Sequence, residues 1–167
     1  TLLRHSDRVG LACQAQLVNV LAPIHAEPGG PAWCQTIFHP FALTSRYARG
    51  QVLDLRAEGS TIDTPAYGPV GRIWPVATWD EESGDLAVLL VNRDLETAET
   101  ATFNLSRFGD LQLVEHLAIA EADRDAVNTA EDPDRVVPRP GRSQLEGGVL
   151  SVEAPALSWH LVRLHRR

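Results

Sequence analysis

Apolar positions along this chain change their period near Gly50, and two kinds of element follow from the change. Residues 17–24, "LVNVLAPI", are apolar on both faces except at Asn19, as in a strand buried between two layers. In residues 1–16, Leu3, Val9, Ala12 and Cys13 fall on one helical face and Arg4, Asp7 and Arg8 off it, which predicts a helix. Next comes "EPGGPAWCQTIFHPF", a Pro-Gly-Gly turn opening a second predicted helix over residues 31–48. Pro31 suits its first turn, Pro40 should kink it and Gly50 should end it. Helix, strand and helix in this order are the grammar of a parallel α/β barrel, whose strand-end turns line the substrate mouth. That geometry puts Trp33 and Gln35 at the mouth.

Beyond Gly50 the apolar positions alternate. "QVLDLRAE" sets Val52, Leu53 and Leu55 among polar residues. "GRIWPVATWDEESGDLAVLLVNRD" reads as two strands joined by a turn at Glu82, Ser83 and Gly84. "TAETATFNLSRF" and "DLQLVEHLAI" add two strands, and "GVLSVEAPALSWHLVRLHR" two more, broken at Pro155. Residues 121–142, acidic and proline-bearing, read as a long surface loop. Short strands with turns at this spacing predict a β-sandwich. The expected fold is therefore mainly β, a jelly-roll-like C-terminal sandwich over residues 50–167. A helix-strand-helix remnant of a (β/α)8 barrel precedes it, over residues 1–49.

Composition narrows the classes. The 167 residues carry a net charge of −7, against a phosphate-backbone partner. No apolar run approaches the roughly 20 residues of a membrane-spanning helix, so neither nucleic acid nor membrane is expected as a partner. All 15 Lys and Arg positions are arginine; methionine is missing even at position 1, and that absence suggests an internal or processed start. Cys13 and Cys34 are expected as reduced interior thiols rather than a disulfide.

Four segments carry a resemblance. They are "ACQAQLVNVLAPIHAEPGGPAWCQTIFHPFALTSRYARG", "GDLAVLLVNRDLETA", "AVNTAEDPDRVVPRPG" and "APALSWHLVRL". In this order they resemble the C-terminal part of the α-L-arabinofuranosidases of glycoside hydrolase family 51. The resemblance implies a (β/α)8 barrel followed by a jelly-roll sandwich. The implied activity is removal of terminal α-L-arabinofuranosyl groups from arabinan or arabinoxylan oligosaccharides, with retention of configuration. Retention uses two carboxylates about 5 Å apart, which the family carries on its fourth and seventh barrel strands. Neither strand is found in these residues, so no catalytic residue is carried onto this chain. The family's Trp-x-Gln after the eighth strand, whose glutamine bonds a sugar hydroxyl, matches Trp33 and Gln35. The chain departs from the family at Cys34, usually basic, at His39, usually aromatic, and at His25 and Ala26, usually Met-Thr. The resemblance further implies a cytoplasmic enzyme, a homo-oligomer, no cofactor, and a missing N-terminal barrel portion as this chain's partner.

Plainer readings stand beside these. From the residues alone, Gln35 caps the helix or bonds a loop as readily as it meets a sugar, and Trp33 packs at the mouth. Glu27 is the only carboxylate at the turn and orients its backbone. His25 with Glu27 falls short of the three ligands and supporting shell of a catalytic zinc, and the acidic clusters lack the EF-hand pattern, so no metal is expected. Ser158 before Trp159 and His160 reads as strand alternation, not as a nucleophile motif. Trp74, Trp79 and Trp159 read as sandwich core and rim. Two other classes remain, a carbohydrate-binding sandwich with a helical prefix, and a scaffold that assembles an oligomer.

Overall fold

The computed structural model describes every residue except Ala57, which lies within the alternating "QVLDLRAE" stretch. Its strands in chain order are β1 (Ile24–Ala26), β2 (Ala32–Cys34), β3 (Gln51–Val52), β4 (Thr61–Thr64), β5 (Gly68–Gly71), β6 (Ile73–Asp80), β7 (Asp85–Asn92), β8 (Glu99–Asn104), β9 (Leu111–Ala120), β10 (Arg139–Pro140), β11 (Ser143–Glu146), β12 (Val149–Ala154) and β13 (Ser158–Arg166). One α-helix, α1 (Phe38–Tyr47), follows β2.

A six-stranded sheet in the order β10-β9-β13-β7-β6-β3 faces a three-stranded sheet in the order β11-β12-β8, and the named pairs within both are antiparallel. Alternation places Leu86, Val88 and Leu90 of β7, Ala77 of β6, and Val162 and Leu164 of β13 on the inner face of the larger sheet. They meet Leu150, Val152 and Ala154 of β12, with Leu105 beside them. This is the expected sandwich core. The β6–β7 turn falls at the predicted residues, where Gly84 adopts φ +76° and donates its N–H to the Asp80 carbonyl at 2.8 Å.

Strand β7 is buried on both faces because the larger sheet is covered twice. Its outer face presents Ala87 and Leu89 of β7 and Leu161 of β13, and Leu43 and Tyr47 of α1 pack there with Ala48 and Leu3. The Arg163 guanidinium lies 4.0 Å from the Tyr47 ring centroid while bonding Glu115 at 3.0 Å. At the β6 end, Arg4 donates two hydrogen bonds to the Pro75 carbonyl, and its guanidinium lies 4.2 Å from the Trp74 ring centroid. The first residues and α1 thus form a third layer on the sandwich.

Within residues 1–49 the local elements differ from those predicted. Residues 1–16 hold only a 3-10 turn at Leu3–His5, for Gly10 interrupts the helical stretch and little of its apolar face finds a partner. Residues 17–24 do not form a barrel strand. Asn19, at φ +62°, closes a turn instead. Its N–H bonds the Ile24 carbonyl, its own carbonyl accepts from Ala22, and its side chain accepts from the Ala26 N–H at 2.8 Å. Asparagine side chains compete with a ladder in this manner when neighbouring strands do not supply one. The Pro-Gly-Gly segment turns the chain back into a β1–β2 hairpin before the helix begins, seven residues later than predicted at Phe38. Pro40 does not kink α1, because it lies in the first turn, where its missing N–H has no intrahelical partner.

Candidate functional site

The β1–β2 hairpin carries or adjoins the residues predicted for the mouth. His25 of β1 pairs with Trp33 of β2, their ring centroids 5.3 Å apart. Gln35 follows β2 directly. Its N–H donates to the Pro23 carbonyl at 2.8 Å, and its carbonyl accepts from Phe38 at 3.0 Å, which opens α1. The backbone of Gln35 is therefore tied on both sides, while its half-buried side-chain amide makes no hydrogen bond among the described residues. An amide held in place with a donor pair and an acceptor to spare is equipped to meet a polyhydroxylated ligand. Glu27 lies at the exposed end of the hairpin.

Trp33 spends its one polar atom inside the protein. The indole N–H donates to the main-chain carbonyl of Asn128 at 3.0 Å. Asn128 is 4% exposed, and its side chain joins two segments. Nδ2 donates to the carbonyls of Cys34 and Val136 at 3.0 and 3.1 Å, and Oδ1 accepts the Val136 N–H at 2.8 Å. The loop predicted as surface therefore has a buried clamp that grips the hairpin across more than ninety residues of chain, about the reach of a tertiary contact that no local pattern reports. Sequence reasoning missed Asn128, although it stands inside one of the segments quoted for their resemblance. On α1, burial pushes His39 below the usual imidazole range, with the Asp134 carboxylate pulling the other way. The His39 Nε2 is buried without a partner among the described residues.

Other candidates resolve more simply. Cys34 is half-buried and Cys13 is exposed rather than interior, and both are free thiols. Trp79 packs on Phe108 with centroids 5.1 Å apart and joins the core, and Trp159 packs on the outer face. Among the described residues no three His, Cys, Asp or Glu side chains gather as a metal cluster, and no helix is long and apolar enough to cross a membrane. Ser158, His160 and His116 form a buried chain, with Ser158 Oγ 2.7 Å from His160 Nε2 and His160 Nδ1 3.0 Å from His116 Nε2. Ser158 donates its proton to the Pro155 carbonyl at 2.5 Å. His160 must then donate to Ser158, the reverse of a general base activating a nucleophile. Two surface cavities, of about 140 and 320 Å3, lie by Arg46 and Arg163 and by Arg139 and His160, and neither is lined by Trp33 or Gln35.

Residues 1–158 match the family model of the alpha-L-arabinofuranosidase C-terminal domain. The chain belongs to this family. The chain is 46% identical over 163 residues to an intracellular exo-alpha-(1->5)-L-arabinofuranosidase of Streptomyces lividans, covering 97% of this chain and 24% of the relative. It is 43% identical over 168 residues to an exo-alpha-(1->6)-L-arabinofuranosidase of Bifidobacterium longum, covering 98% of this chain and 32% of the relative. The solved structure of a family 51 alpha-L-arabinofuranosidase from Bifidobacterium longum superposes with a TM-score of 0.93 at 45% identity, over 98% of this chain and 32% of that one. The domain thus spans about a quarter to a third of the length of these relatives.

Proposed function

We propose that this chain is the C-terminal portion of a retaining, exo-acting α-L-arabinofuranosidase. The whole protein removes terminal non-reducing α-L-arabinofuranosyl groups from arabinan or arabinoxylan oligosaccharides. Residues 1–49 supply part of the barrel mouth, residues 50–167 the sandwich that holds it. The observation that carries this reading is the match to arabinofuranosidases along 97–98% of the chain, at 43–46% identity. Relatives named for (1->5) and for (1->6) linkages match almost equally well, which supports a role for this portion in holding the arabinose rather than in choosing its linkage. The word intracellular in the Streptomyces relative's name supports a cytoplasmic enzyme.

In this role Gln35 bonds a hydroxyl of the furanose. Trp33, its N–H already used by Asn128, offers the sugar its apolar ring. The cleaving pair of carboxylates, about 5 Å apart in a retaining enzyme, comes from barrel strands outside these residues, because the hairpin, residues 24–35, offers a single carboxylate, Glu27. The isolated chain is therefore expected to give no turnover of a chromogenic arabinofuranoside. Gln35→Ala in the full-length enzyme is expected to raise KM about tenfold, the cost of one buried hydrogen bond to substrate. Turnover by the isolated chain, or an unchanged KM in Gln35→Ala, would refute the assignment.

A further inference from the structure

We propose that Asn128 is a positioning residue for the arabinose subsite, acting on Gln35 through Trp33 and the main chain of β2. The inference rests on Gln35 being a sugar contact. Three observations lead to it. First, the Asn128 side chain is buried and has both donors and its acceptor engaged, on Cys34 and on Val136. Aspartate has no such donors, and an apolar isostere has neither donor nor acceptor. Second, the two groups Asn128 holds on the hairpin, the Trp33 indole and the Cys34 carbonyl, immediately precede Gln35 in the chain. Third, the same loop carries Asp134, and on α1 the His39 ring, lowered by burial, is raised in part by that carboxylate.

Gln35 is the link between these two held elements. Its backbone is bonded to Pro23 and Phe38, so the direction of its side chain follows β2. Loss of the clamp lets β2 shift while the sandwich core, formed elsewhere, stays intact. A displacement of about 1 Å is enough to carry the Gln35 amide out of hydrogen-bond range of a sugar hydroxyl. The effect belongs in sugar binding, because the contact that the shift weakens, the Gln35 amide on a sugar hydroxyl, serves the bound and the reacting sugar alike.

The test uses the full-length enzyme and a chromogenic α-L-arabinofuranoside. Asn128→Asp keeps the size and removes both donors. It is expected to raise KM about tenfold with kcat within about threefold of the parent. The double variant with Gln35→Ala is expected to be scarcely worse than either single variant, since both changes disable the same contact. An Asn128→Asp enzyme with the parent's KM, alongside a damaged Gln35→Ala, overturns the inference and leaves the subsite standing. Strictly additive losses overturn it too, since Asn128 then acts elsewhere. Silence of both variants removes the subsite and the inference together. Should Asn128→Asp fail to fold, hydrogen exchange on the unaltered enzyme decides. Saturating arabinose is expected to slow exchange of the Val136 amide, which donates to Asn128, several-fold, and unchanged exchange there rejects the coupling.

Discussion

His160 is fully buried on β13, and burial, followed by the neighbouring His116 ring, pushes its pKa down to about 4. Burial lowers His116 as well, and the Gly141 backbone rests on the His116 ring so closely that a side chain at position 141 would overlap it. The pair's hydrogen-bond partner is the neutral Ser158 hydroxyl, itself bonded to the Pro155 carbonyl, while Arg139, Arg142 and Glu153 share the neighbouring cavity with His160. Both rings are thus neutral in the folded state, whereas an unfolded histidine titrates near 6.5. As pH falls below that value the unfolded chain takes up protons that the folded chain does not, so stability declines from about pH 6.5 toward pH 4. By pH 5, His160 alone should remove about 2 kcal/mol. Chemical unfolding at pH 7 and pH 5 measures this, and His160→Gln should flatten the difference. An unaltered parent midpoint over that interval would contradict the neutral pair. Gln35 and Trp33 stand out in the sequence because a short motif carries them, and their sugar-binding role belongs to the proposal. Asn128 does not stand out, because its partners Cys34 and Trp33 lie more than ninety positions away. His160 looked like strand alternation, and it is, but its ring bonds could not be read from spacing.

Among the elements, those that bring their own partners were legible. The β6–β7 hairpin joins two largely apolar strand runs through a turn glycine, and it forms as predicted. Residues 17–24 have a strand's composition without flanking strands among the described residues, so Asn19 folds them into a turn. Apolar runs specify burial, and the backbone conformation depends on what does the burying. Gly50 illustrates the opposite case, where a single position decides a junction. It lies at φ +75° between α1 and β3, pressed on the Trp79 carbonyl and with an added Cβ only 2.6 Å from the Asp80 Cα. Backbone rather than a flexible side chain fills that space. Gly50→Ala should therefore cost roughly 2–3 kcal/mol, by combining a left-handed conformation with overlap. A loss under about 0.5 kcal/mol in denaturant melts would show that the junction yields.

For the molecule as a whole, the sandwich was readable from strand count and turn spacing, whereas the third layer was not. Nothing in the period of α1 says that Leu43 and Tyr47 would lie on the back of the larger sheet. The same region exposes Leu11, Leu17, Val20 and Leu21, each more than two-thirds uncovered, a surface consistent with burial against the proposed barrel. Removing residues 1–49 should uncover Ala87, Leu89 and Leu161 together. The remaining 50–167 is then expected to associate in light scattering, and a clean monomer with the parent's melting temperature would show the third layer to be dispensable. The most direct measurement of the central claim is a crystal structure of the full-length enzyme with arabinose bound. The Gln35 amide is expected within hydrogen-bond distance of a furanose hydroxyl, with the Asn128 clamp closed behind Trp33 and both cleaving carboxylates supplied by chain outside these residues. An arabinose seated without contact from this domain would contradict it.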